Sequence, residues 1–70
     1  MIKIEKTNYG YKVRTNESAV SFRKELKRNK NIEGFLSSPN QFEIYTEMSE
    51  ESFINLLMKH FYIADIKELY

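Results

Sequence analysis

His60 is the one side chain of this sequence whose ordinary pKa lies near neutrality. It sits in "NLLMKHFYI", among Leu56, Leu57 and Ile63, with no second acid or nucleophile fixed beside it in sequence. Acid–base and nucleophilic catalysis both need a partner within hydrogen-bond reach, so this setting points to a hydrogen-bonded core or interface histidine rather than a catalytic one. Glu50 and Glu51 adjoin, but a helix sends adjacent residues to different sides, which suits a first helical turn better than an acid–base pair. The chain has one Asp and no Cys, and it contains no phosphate loop, nucleophile elbow or paired metal-ligand spacing. The expectation is a non-enzyme with no metal, no cofactor and no small-molecule substrate.

Binding chemistry is better represented. The stretch "RKELKRNK" at 23–30 places Arg23, Lys24, Lys27, Arg28 and Lys30 on about two helical turns, where they could neutralise phosphates. Lys12 and Arg14, on an open sheet face, would extend that footprint, and Tyr45 on the same face would offer one base-stacking ring. Two features weigh toward a merely solvated helix face: the pI is near 7.9, and no aromatic or glycine interleaves the cluster.

The second candidate surface lies in "SFINLLMKHFYI", read as a helix. Phe53, Ile54, Leu56, Leu57, Met58, Phe61, Tyr62 and Ile63 leave only Asn55 and Lys59 as a polar strip. A helix apolar over most of its circumference must be covered on more than one side. With one side against a sheet, Ile54, Met58, Phe61 and Tyr62 remain to meet a protein partner or a second copy of the chain. The competing account is that residues after 60 fold back over them.

The elements that position these residues follow from periodicity. In "MIKIEKT" Ile2 and Ile4 alternate with Lys3 and Glu5, and in "YKVRT" Tyr11 and Val13 alternate with Lys12 and Arg14, so residues 1–15 read as a β-hairpin. Asn8 and Gly10 in its turn tolerate positive φ. Asn16 or Ser18 would cap a helix through "AVSFRKELKRN", with Ala19, Phe22 and Leu26 on its apolar stripe and Val20 widening it. "NIEGFLSSPNQFEIYTE" reads as a second hairpin turning at "SSPN", with Gly34 marking a bulge in its first arm. Ser49 caps the second helix, with Glu50 and Glu51 in its first turn. The tail "ADIKELY" either extends that helix or starts a separate turn at Asp65.

An offset of thirty-one residues brings Thr15, Ser18, Ser21, Phe22 and Leu26 onto Thr46, Ser49, Ser52, Phe53 and Leu57. Roughly two identities are expected from ordinary composition. Tyr11 with Phe42 and Val13 with Ile44 match in character. The inference is a single 1–70 domain of α+β class, ordered ββαββα, with a four-stranded antiparallel sheet and two helices on one face. It would consist of pseudo-repeat units at 1–31 and 32–62 and an extension at 63–70, since two strand-strand-helix units can cover each other's apolar faces.

Charge divides the halves. Residues 1–31 hold nine Lys and Arg against three Glu, whereas residues 32–70 hold two Lys against six Glu and one Asp. Either the halves set opposite charges side by side, or each charged surface has its own partner. No run approaches the eighteen apolar residues of a membrane span and no signal-peptide core opens the chain, so a cytoplasmic protein without membrane contact is expected. A chain of 70 residues without cysteine has neither disulfide nor zinc to staple it, which makes self-association as a homodimer a further expectation. Its wealth of Asn, Lys, Ile and Tyr fits an AT-rich coding sequence, which phage, plasmid and low-GC bacterial genomes share. The leading functional expectation is a small regulator or inhibitor that occupies a protein partner's surface. Nucleic-acid binding through residues 23–30 is the alternative.

Overall fold

The computed structural model describes residues 1–15 and 19–68. Its elements are β1 (Ile2–Lys6), β2 (Gly10–Thr15), α1 (Val20–Arg28), β3 (Ile32–Ser38), β4 (Gln41–Thr46), α2 (Glu50–Leu57), a 3₁₀ turn (Ile63–Asp65) and β5 (Ile66–Glu68). The ββαββα order is as the sequence predicts. The sheet departs from expectation, because it has five strands in the order β3-β4-β2-β1-β5, and β5 runs parallel to β1. The predicted four-stranded, purely antiparallel sheet is therefore corrected at its far edge. There Ile66 lies beside Ile2, and β5 takes up backbone groups of β1 that would otherwise form an open edge.

The same pairing accounts for the early end of α2. The expected helix through Ile63 stops at Leu57, and the amides of Lys59 and His60 bond the carbonyls of Leu56 and Leu57 in a tight turn. That turn lets the chain swing from the helix layer to the sheet edge.

The first hairpin is reversed at residues 7–9. Among the described residues Gly10 alone takes positive φ, at +152°, and Asn8 does not, contrary to the sequence reading. Gly34 does lie at a break in the β3/β4 register, between Ile32 and Gly34. The cap expected from Asn16 or Ser18 lies outside the described residues. At the other helix, Ser49 Oγ accepts from the amide of Ser52 at 3.2 Å, so the predicted cap is in place.

Both hairpins share one internal register at the offset of thirty-one. Ile4 pairs with Val13, and Phe35 pairs with Ile44. Between the hairpins, β2 pairs with β4 around Lys12 and Glu43, which are themselves thirty-one apart. The helices cross over this centre. Phe22 of α1 meets Phe42 of β4 edge to face, with centroids 5.3 Å apart, and Phe53 of α2 stacks on Tyr11 of β2 at 4.1 Å. Each half's helix thus covers the other half's inner strand, which gives neither half an apolar interior of its own.

Ile2, Ile4, Tyr11, Val13, Phe42 and Ile44 form the sheet side of one core, and Phe22, Leu26, Phe53, Leu56 and Leu57 form its helix side. The Tyr11 hydroxyl, at the rim of this core, donates to the Met48 carbonyl at 2.7 Å. No buried side-chain polar atom lacks a partner among the described residues. Among the described residues no helix covers the opposite face of the sheet.

Candidate functional site

The sequence-predicted nucleic-acid residues do not form one footprint. Phe22 and Leu26 seat α1 on the buried face of the sheet, while Lys12 and Arg14 alternate with buried Tyr11, Val13 and Thr15 and so point to the opposite face. Lys24, Lys27 and Arg28 are exposed on the outer side of α1, a full sheet thickness from Lys12 and Arg14. Arg23 is already engaged, because its guanidinium donates to Ser37 Oγ at 3.0 Å and lies 5.6 Å from the Phe42 ring centroid. The footprint joining residues 23–30 to Lys12 and Arg14 is corrected on these grounds: the parity of β2 and the seat of α1 place its two parts on opposite sides of the sheet.

The four residues expected at a protein contact also separate. Phe61 is only 8% exposed and packs edge to face on Phe22 at 5.6 Å, so it belongs to the core. Ile54 is half-buried against the same cluster. Met58 and Tyr62 are exposed, at 44% and 82%, and Ile63 joins them at 63%. Of these two neighbouring aromatics, Phe61 folds back over the helix face and Tyr62 points outward. Backbone direction decides which is which, since the turn at 58–60 aims Phe61 at Phe22 and sends Tyr62 the other way.

His60 joins the helix layer through a chain of polar contacts. Its Nδ1 lies 3.0 Å from Ser21 Oγ, and its Nε2 lies 3.3 Å from Glu25 Oε1. Ser21 and Glu25 are one turn apart on α1, so the half-buried imidazole fastens the connection after α2 across that helix. A hydroxyl, an imidazole and a carboxylate in series can pass a proton. However, none of the three groups lines the concavity beside Lys3 and Arg14, the one beside Glu33 and Met48, or the one beside Tyr9 and Tyr45. These contacts fasten the connection after α2 to α1.

Partial desolvation raises the cost of ionising Glu25. Hydrogen bonds to His60 and Asn29 and the charge of Lys59 outweigh it and hold the carboxyl below its ordinary 4.5. Because the folded value is the lower one, this contribution is complete above the ordinary value and is lost as pH falls through the folded value. Thermal melts of the wild type should therefore drop between about pH 5 and pH 3 by more than those of Glu25→Gln. Equal drops in both proteins would show that Glu25 contributes nothing.

The open sheet face is organised in rows across the strands. Nearest the first hairpin's turn, Tyr45 pairs across from Gly10, and its ring meets that of Tyr9 at a 35° tilt with centroids 4.8 Å apart. The Tyr9 hydroxyl donates to Glu43 Oε1 at 3.1 Å; desolvation, then this contact with Glu43, pushes the phenol's pKa up. The middle row reads Glu5, Lys12, Glu43, with signs alternating. The far row reads Lys67, Lys3, Arg14, Gln41 on β5, β1, β2 and β4. Tyr9 was missed as a surface residue because it sits in a turn, and its ring lies over Tyr45 only because β2 and β4 pair in this register.

Among the described residues no group of three His, Asp or Glu side chains is placed to hold a metal ion. Among the described residues no helix is long and apolar enough to cross a membrane. Comparison with protein-family models, curated proteins and solved structures finds no match.

Proposed function

We propose that this protein acts by binding rather than by catalysis, as a regulator or inhibitor that inserts Tyr62, flanked by Met58 and Ile63, into an apolar slot on another protein. The observation that carries this reading is the 82% exposure of Tyr62 beside an Ile63 that is 63% exposed, in a domain with a well-filled core. Aromatic and methionine side chains of this kind anchor interface centres. Burying each of them on a partner is worth about 1.5–3 kcal/mol.

The test is a pull-down from the native host with mass identification, using the wild type and the Met58→Glu, Tyr62→Glu double variant. Neither side chain belongs to the core, so the variant should keep the wild-type circular dichroism spectrum and melting temperature. It should bind the captured protein at least about a hundredfold more weakly, as two lost anchors imply. An unchanged affinity in the folded variant would sink the reading. Sedimentation above the 8.4 kDa monomer mass that collapses in the variant would make the partner a second copy instead.

A further inference from the structure

The far row of the open face breaks a rule that the rest of that face obeys. Cross-strand neighbours of like charge destabilise a sheet, and the middle row avoids this by alternating Glu5, Lys12 and Glu43. In the far row Lys67, Lys3 and Arg14 stand side by side on three adjacent strands, and the next neighbour is the neutral Gln41. All three cations are exposed, and no described acid lies within salt-bridge distance of them. At about 4.8 Å per strand the row spans roughly 10 Å, too wide for a single phosphate to satisfy. Lys3 and Arg14 line an open concavity of about 710 Å³, whose other walls include Ser38, Pro39, Asn40 and Gln41. Amides and a hydroxyl therefore stand beside the cations. About 13 Å along the same face, four residues at strand rise, the Tyr9–Tyr45 pair presents an aromatic surface.

We infer that this face binds a single-stranded nucleic acid, with successive phosphates of its backbone on Lys67, Lys3 and Arg14. A bound polyanion turns the repulsion along the row into attraction, which gives the three cations a reason to be neighbours. Ser38, Asn40 and Gln41 meet sugar or base edges in the concavity, and a base further along the strand stacks on Tyr9. A sheet face that projects no helix or ribbon has nothing to enter a duplex groove, which selects the single strand. The surface is separate from Met58 and Tyr62, so the two proposals stand or fall independently.

The test is fluorescence anisotropy with a labelled oligothymidylate at 50 mM salt. Three phosphate contacts predict a slope of log K against log salt of about −2. Lys3→Gln with Arg14→Gln should weaken binding at least tenfold and flatten the slope by about 1.4. The same variant should melt no lower than the wild type, because it relieves a repulsion. Lys24→Gln with Lys27→Gln, on the other side of the sheet, should bind as the wild type does. Absence of binding at 50 mM salt would overturn the proposal. So would sensitivity to Lys24 and Lys27 rather than to Lys3 and Arg14, or competition by duplex or free nucleotide as strong as by the oligothymidylate.

Discussion

Gly10→Ala leaves the protein largely unfolded, or moves its urea midpoint down by about 2 M or more, while Gly34→Ala in the neighbouring hairpin changes it by less than about 1 M. The contrast comes from what a methyl group meets at each position. At Gly10 it would press into the carbonyl oxygen of Ile44 and come within 2.9 Å of the Thr46 amide nitrogen, and φ is +152°. Both obstructions are backbone of β4, so relief requires separating β2 from β4, the seam that joins the two hairpins. Strain at such a φ costs about 1–3 kcal/mol before the clash is counted. A domain of this size has only about 4–10 kcal/mol of total stability. At Gly34 the nearest obstacle is a Tyr45 ring carbon 3.9 Å away, an ordinary contact, and the methyl lowers the entropy of the unfolded chain. Urea melts of the two variants decide the matter, and equal midpoints would refute the role given to the β2/β4 seam.

Phe22→Ala should cost about 3–5 kcal/mol, again close to the whole stability. The ring is fully buried and meets Phe42, Phe61 and His60 at centroid distances of 5.3, 5.6 and 5.9 Å. Its loss uncovers the inner strand of the second half and removes the platform that turns Phe61 inward. Phe53→Ala should cost about as much, since Phe53 plays the same part over Tyr11. Phe22→Leu keeps most of the volume and should cost about 1–2 kcal/mol. Chemical denaturation of the three variants checks this. A Phe22→Ala loss below about 1 kcal/mol would mean that the aromatic cluster does not hold the halves together.

Much of the fold was legible because its information is local. Alternation in "IKI", "YKV" and "FEI" sets strand faces, Ser49 announces a helix start, and Gly34 announces a register break. The offset of thirty-one matched Val13 to Ile44 in character, and the strand pairings Ile4–Val13 and Phe35–Ile44 are found at that same offset. β5 was not legible, since three residues carry too little period to separate a strand from a helix tail. The basic row was hidden for the same reason: Lys67 reaches Lys3 only through a parallel pairing of distant segments, whereas the sequence drew attention to cations contiguous at 23–30. Phe61 and Tyr62 are adjacent and both aromatic, and only the direction of the turn before them puts one inside and the other out.

The exchange of helices across the centre of the sheet bears on how copies of this chain can meet. Contacts between the halves are the same whether both halves belong to one molecule or to two, and the halves are linked only by Asn29, Lys30 and Asn31 between α1 and β3. Straightening that link in two molecules lets each lend its second half to the other, with every ring contact kept and only the three-residue hinge changed. Dimers made this way would accumulate with concentration and with transient melting, and they would separate slowly, because parting requires each molecule to open its core.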